Sequence, residues 1–388
     1  MPESSSGPCV ARLEDVFRAE RRGTGAILLE TCSAYPPYPC WGKSPLGSAQ
    51  LFRYNPLVLL KSIYVWPRLL RPRTWQGTLA RVDRFDATAR ELRAELSALR
   101  TRTDQLEAVA RLDWEMQEEI RGLDTQLDLR SIGAHVMSAI ARAPLATEPF
   151  PHVVVEDWLP GDVYRTMLRA LPPPVFFADR EEGRQRMRVP FTLAPIYSRR
   201  VWDVVAEEIV GRFVRDALAA KFDGAIKDFL ASFYDGGDAA DVPLHPSDGR
   251  IMLRRPGYVI APHRDPRWGF ITGLVYLARP GDNEAHGTQL YRVTDDREAP
   301  NDKPLYVHES QCELVRTVPY KANTLLAFLN SVGAHGASIP ADAQPATLER
   351  YVYQFRLGPD SKSIKALLSR MSAGRRDHWA GGKAKKGG

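Results

Sequence analysis

The chain has 388 residues, of which 44% are hydrophobic and 26% charged, with 53 Lys and Arg against 47 Asp and Glu for a formal net charge of +6. That apolar content suffices for a globular core and the length for two or three structural units, which excludes a wholly disordered chain. Charge this close to balance makes nucleic acid an unexpected partner, and no apolar run reaches membrane-spanning length.

Residues 1–50 are rich in Ser, Gly and Pro without a sustained period, and Tyr35-Pro36-Pro37-Tyr38-Pro39 cannot be helical, so a linker-like or disordered region is expected. Ala26 to Leu29 is too short for the apolar core of a signal peptide. Cys9, Cys32, Cys40 and Cys312 match no zinc or disulfide spacing, so reduced thiols and a cytoplasmic location are expected. From 51 to 76 the chain turns apolar, aromatic and basic (Leu57, Ile63, Tyr64, Trp66, Arg68, Arg71). This suits a short helix docked on a body or partner chain, or an amphipathic segment resting on a membrane surface as a peripheral contact.

Residues 77–143 carry a helical pattern. Phe85, Ala89, Leu92, Leu96, Leu99, Thr103, Leu106, Val109, Met116, Ile120, Leu123 and Leu127 recur at intervals of three and four, with charged residues between them and no proline from Arg73 to Ala143. The spacing predicts a coiled coil or long helical hairpin, weakened where Thr103 and Asp113 fall in the seam, and a homo-oligomer formed through 77–130. The alternative is an amphipathic helix laid along its own globular domain.

A mainly β domain is expected from 144 to 360. His152 to Glu156 reads as a strand and Gly161 to Leu171 as a helix, and the apolar pattern from Val201 to Phe233 gives one or two helices braced on a sheet. Asp179–Glu182 and Arg184–Arg188 are dominated by charge and read as loops, Asp235–Asp238 as a turn, Gly281–Glu284 as a hairpin loop, and Asp295–Pro304 as a polar insert. Arg250–Arg255, Tyr258–His263, Gly269–Ala278, Thr288–Val293, Leu314–Thr317, Thr324–Leu329 and Arg350–Leu357 supply seven or eight short strands, the signature of a jelly-roll sandwich. Residues 361–388 should form a short helix and a basic tail.

Within that domain His263 and Asp265 follow an apolar alternating segment, and His335 follows a buried-strand composition, with Gly336 beside it for a crowded backbone. Two imidazoles and a carboxylate suit a three-point facial site for ferrous iron that leaves positions open for chemistry. The residues therefore point to a mononuclear non-haem iron oxygenase.

The same pieces resemble the double-stranded β-helix core of the 2-oxoglutarate- and Fe(II)-dependent dioxygenases, most closely the prolyl-hydroxylase-like branch. They are Arg255-Pro256-Gly257-Tyr258, His263-Arg264-Asp265, Thr272 to Leu277, Asn323 to Phe328, His335-Gly336-Ala337-Ser338 and Arg350 to Phe355. The resemblance implies Fe(II) on His263, Asp265 and His335, with 2-oxoglutarate as cosubstrate, dioxygen as oxidant and ascorbate as a candidate reductant. Decarboxylation to succinate and CO2 would be coupled to oxidation of a substrate carbon. It further implies that Arg350 holds the far carboxylate of 2-oxoglutarate, because a guanidinium fork can meet a carboxylate with two parallel bonds. The fifteen residues from His335 to Arg350 exceed the family's usual gap. Arg356 is the alternative anchor, on the same face of a period-two strand. Tyr258 and Thr272 are candidates to hydrogen-bond the cosubstrate, and Arg264 to face an anionic substrate. Because related halogenases lack the carboxylate, Asp265 argues for hydroxylation or desaturation. Two readings from other classes are a catalytically idle jelly roll serving a scaffold, and a cupin-like metal isomerase or hydrolase, which would have no need of Arg350.

Overall fold

The computed structural model describes residues 73–177, 184–231, 242–265, 269–294, 305–330 and 332–370. The expectations for 1–50 with Cys9, Cys32 and Cys40, for 51–72, for 179–182, for Asp235–Asp238, for Asp295–Pro304 and for the basic tail beyond 370 lie outside the described residues. The chain divides into two compact units, Met1–Ala80 and Arg81–Gly388, and among the described residues only the start of the first helix belongs to the former.

Three helices occupy the stretch for which the heptad pattern predicts a coiled coil or long helical hairpin: α1 (Arg73–Glu115), α2 (Gln117–Gln126) and α3 (Leu129–Arg142). Met116 leaves helical geometry with φ −108° and ψ 19°. At the second break the Asp128 side chain accepts from Arg130 N and caps α3, a local bond that competes with continuing the helix. From Val109 onward the seam turns inward: Leu123 is buried, and Val109, Met116, Ile120 and Leu127 pack against the same core. Asp113 accepts from Ile196 N at 2.6 Å and Gln105 Nε2 donates to Val175 O at 2.9 Å, which ties the C-terminal half of α1 to the body. Ahead of that anchorage Phe85, Leu92, Leu96, Leu99 and Leu106 stay exposed. Among the described residues no helix is long and apolar enough to cross a membrane.

The β domain is a sandwich of antiparallel sheets, consistent with the expected jelly roll. One sheet has the order β1 (His152–Glu156), β9 (Thr324–Leu329), β5 (Ile271–Tyr276), β11 (Arg350–Gly358), β3 (His245–Arg254), β2 (Arg184–Arg188). The other has the order β7 (Leu305–Tyr306), β4 (Val259–Arg264), β10 (Ala334–Ser338), β6 (Thr288–Val293), β8 (Cys312–Val318). The period of two sorts each central strand into two cores. Tyr351, Tyr353, Phe355 and Leu357 of β11 join the large core with the helices, whereas Val352 turns between the sheets to Leu274, Tyr276, Leu326 and Phe328. On the outer face lie α3, α4 (Gly161–Arg169) and a continuous helical run: α5 (Ile196–Asp203), a π-helical stretch (Val204–Val214) and α6 (Arg215–Ala231). Trp202 of α5 donates from Nε1 to Ala170 O and lays its ring 5.2 Å from that of Tyr353, so the helical run is keyed to β11. A short α7 (Ser361–Ser369) follows β11.

Two local expectations are corrected. Arg184–Arg188 is not a loop but the edge strand β2, paired residue for residue with β3 from Arg184↔Arg254 to Arg188↔Arg250. Its composition gives no strand signal, and the free edge of β3 supplies the pairing that decides it. Gly281–Glu284 is not a hairpin loop, because β5 and β6 on either side of it belong to different sheets.

Candidate metal centre

β4 and β10 are neighbours, and their register places His263 directly opposite His335. Gly336 is needed next to them: a Cβ there would lie 2.9 Å from the carbonyl oxygen of Ile260 on β4. Asp265 follows the last residue of β4 and turns into the same space. The ligand atoms of His263, Asp265 and His335 all lie within 4.8 Å of one another, and all three residues are buried. The two imidazole centroids are 4.2 Å apart, and Phe328 backs His335 at 4.7 Å. His263 Nδ1 lies 3.0 Å from Ala261 O, a contact that places its proton there and leaves Nε2 as the free ligand atom.

Electrostatics prepares the trio. Burial pushes His335 down to about 3, with His263 beside it adding to the effect. Burial likewise lowers His263. Both rings are therefore neutral at pH 7, the state a metal requires. For Asp265 burial alone would raise the carboxyl, but the Arg356 guanidinium and then the two imidazoles outweigh it and hold it below the usual carboxylate range. The donor set of two neutral imidazoles and one carboxylate on one side of a buried space fits ferrous iron.

The carboxylate is held from three directions. Arg356 Nη2 donates to Asp265 Oδ1 at 2.7 Å, while Thr272 Oγ1 at 2.8 Å and Gln354 Nε2 at 3.3 Å donate to Oδ2. Asn330 Nδ2 donates to Thr272 Oγ1 at 2.9 Å and so fixes the hydroxyl. Thr272, a candidate for the cosubstrate, thus bonds a metal ligand. Tyr258, the other candidate, has the guanidinium of Arg254 over its ring at 4.7 Å and shares a small cluster with Ala337 and Ile339.

The two candidate arginines part company through their partners. Arg356 is engaged by the carboxylates of Asp265 and Asp248. Arg350, only 4% exposed, has no carboxylate or hydrogen-bond acceptor among the described residues. Its guanidinium lies over the rings of Tyr320 at 4.8 Å and Tyr276 at 5.6 Å, and Tyr276 Oη is itself buried without a hydrogen-bond partner. A buried cation and a buried hydroxyl left unpaired together are costly unless a ligand completes them. Sequence reasoning missed Tyr276, Tyr320, Gln354 and Asn330. Parity along β11 puts Gln354 on the same face as Arg350, whereas the roles of the tyrosines depend on contacts between sheets.

No protein-family model matches this chain, and no curated protein matches it. Solved structures do, among them prolyl hydroxylases and other 2-oxoglutarate-Fe(II) oxygenases. A Trichoplax adhaerens prolyl hydroxylase, in complex with a hypoxia-inducible-factor peptide fragment, is 13% identical, with 65% of this chain and 96% of that one covered at a TM-score of 0.32. A Pseudomonas putida prolyl-4-hydroxylase is 16% identical, covering 58% and 98%, with a TM-score of 0.32. HygX from Streptomyces hygroscopicus, with nickel, 2-oxoglutarate and hygromycin B bound, is 14% identical, covering 54% and 83%, with a TM-score of 0.33. Similarity at this level carries no argument about chemistry, which rests on the geometry above.

Proposed function

We propose that this chain is an Fe(II)- and 2-oxoglutarate-dependent dioxygenase that hydroxylates a carbon of its substrate and releases succinate and CO2. The observation that carries the reading is a buried His263, Asp265 and His335 trio sharing a sandwich interior with a buried arginine, Arg350, that has no anion of its own among the described residues. Bound Fe(II), with 2-oxoglutarate and dioxygen, would supply the oxidising chemistry. The chain's part is to hold and orient. His263 and His335 present neutral nitrogens, and Thr272, Gln354 and Arg356 fix the Asp265 carboxylate. Arg350 receives the far carboxylate of the cosubstrate, Tyr276 Oη offers a further donor, and the faces of Tyr276 and Tyr320 keep water from the guanidinium. The carboxylate of Asp265, which related halogenases lack, favours hydroxylation or desaturation over halogenation. A cupin-like isomerase would leave Arg350 without a purpose, and an idle scaffold would have no reason to keep an unpaired buried cation.

Anaerobic titration of the metal-free protein with Fe(II) and 2-oxoglutarate tests this, read by the visible charge-transfer band of the chelate. The band should form in wild type and be absent in His263→Ala. Arg350→Ala should weaken 2-oxoglutarate on the order of 100-fold, the size of two lost charge-assisted bonds. Iron binding without a band would defeat the cosubstrate assignment and favour the cupin reading; no iron binding would favour the scaffold.

The exposed row on α1 supports the second element of the proposal, a homo-oligomer. Phe85, Leu92, Leu99 and Leu106 repeat every seven residues and leave a continuous apolar stripe in water, which a second copy of the helix would cover. Light scattering after size exclusion should give a multiple of the chain mass for wild type and the single-chain mass for the double variant Leu92→Glu/Leu99→Glu. A monomeric wild type would refute the assembly.

A further inference from the structure

The strand that sequence reasoning misses changes the electrostatics of the interior. Directly opposed residues of antiparallel strands share a face. The registers Arg184↔Arg254↔Arg350 and Arg188↔Arg250↔Gln354 therefore run as two rows across β2, β3 and β11, with Arg186↔Met252↔Val352 between them. The face is the inward one: Val352 and Met252 pack in the inter-sheet core, while the alternate residues Met187, Ile251, Leu253, Tyr351 and Tyr353 belong to the core on the helical side. Six arginines, at 184, 186, 188, 250, 254 and 350, thus stand on one face of three adjacent strands, and they reach the metal centre through Arg250. Its Nε donates to Gln354 Oε1 at 2.8 Å, and Gln354 in turn donates to Asp265.

Like charges set directly opposite on a sheet repel, and neither Arg250 nor Arg254 has a carboxylate partner among the described residues. Arg254, 7% exposed, donates from Nη1 only to the backbone carbonyls of Gln185 and Leu253, and its Nε is buried without a partner. Arg250 bonds an amide rather than a carboxylate. The nearby carboxylates Asp265 and Asp248 are both engaged by Arg356.

We propose that the substrate carries a phosphate group, bound by Arg250 and Arg254 with Arg188 at the rim, while Arg350 is kept for the cosubstrate. This rests on the dioxygenase reading above and names its substrate class. Charge count favours phosphate over carboxylate: the 2-oxoglutarate carboxylate answers Arg350 alone, and the two guanidinium groups of Arg250 and Arg254 match a dianion with several acceptor oxygens. The metal ligands adjoin the Arg250 end of the rows, so a phosphorylated small molecule held there presents its carbon skeleton to the oxidising centre.

The test is calorimetric titration of the full-length, metal-free protein with pyrophosphate in about 150 mM salt, where exposed charges are screened beyond roughly 8 Å. Wild type should bind with a Kd below about 1 mM, and Arg254→Gln and Arg250→Gln should each weaken binding roughly 10-fold or more. Arg350→Gln should change it by less than about threefold. Arg188→Glu, at an exposed edge position that places no demand on the core, should also weaken binding, so the result does not depend on buried variants keeping their fold. Loss of binding confined to Arg350→Gln would reduce the site to the cosubstrate's own and overturn the proposal, as would no binding by wild type. A charge-transfer band without pyrophosphate binding removes the substrate class and leaves the dioxygenase; pyrophosphate binding without the band removes the dioxygenase, and the substrate assignment with it, and leaves an anion site.

Discussion

Asp265→Asn is expected to abolish iron binding and also to destabilise the metal-free protein by about 3 kcal/mol, the lower end for breaking a buried ion pair. Removing a carboxylate from an unfilled metal site often relieves repulsion among ligands, but here the sign reverses. His263 and His335 are neutral, so there is no repulsion between like charges to relieve, and Arg356 is the group that loses a partner. Arg356 keeps Asp248, which is half exposed, and this holds the cost near the lower end. Urea unfolding of the metal-free proteins decides it: a variant as stable as wild type would show that the Asp265–Arg356 pair contributes nothing beyond its cost of desolvation. Arg356→Met in a double-mutant cycle should recover part of the loss, since an apolar side chain of similar length leaves no charge behind.

Gly287→Ala should be as damaging although it adds a single methyl group. A Cβ at Gly287 would sit 1.8 Å from the carbonyl oxygen of Val318 and 2.8 Å from its carbon, and Val318 opposes Thr288 where β6 meets β8. Backbone stands on both sides of the contact, so no rotamer change relieves it and the strands must part, at a cost of about 3 kcal/mol or more. The damage falls next to Tyr320 and the arginine it covers, so 2-oxoglutarate affinity should fall as well. Gly224→Ala is the contrast. It lies exposed in the middle of α6 with nothing within 4 Å of the added carbon, and should stabilise by about 0.5–1 kcal/mol. Thermal melts of both variants are the measurement. A Gly287→Ala protein that melts with wild type would mean that β6 and β8 yield more freely than their pairing suggests.

The metal trio was legible in the sequence because ligand chemistry restricts residue type, and the buried strands flanking it have compositions of their own. β5, β9 and β11 were readable as apolar runs, and each is fully buried. β2 was not, since three of its five residues are arginine and Met187 alone faces the apolar core; only pairing with β3 makes it a strand. Parity placed Arg350 and Arg356 on one face but could not separate them, because what separates them is the two carboxylates facing Arg356 and the two aromatic rings facing Arg350. Thr272 failed in the same way: a hydroxyl on the correct face does not reveal which acceptor it meets. On α1 to α3 the seam pattern ran on to Leu127 past its weak positions at Thr103 and Asp113, while the cap formed by Asp128 depended on one side-chain bond.

The register of β10 gives the metal site a meaning beyond catalysis. A slip of one residue in β4 or β10 would send one imidazole to the opposite face of the sheet. β10 is secured on both sides, by His263 opposite His335 on β4 and by Leu290 opposite the same His335 on β6, with an irregularity just after it before Ala337 pairs with Ile260. An ion gripped by both histidines would therefore act as a cross-link between adjacent strands, fixing their alignment as a disulfide fixes two chain segments. Loading the ion would then do two things in one event, arming the centre and proofreading the sheet that builds it.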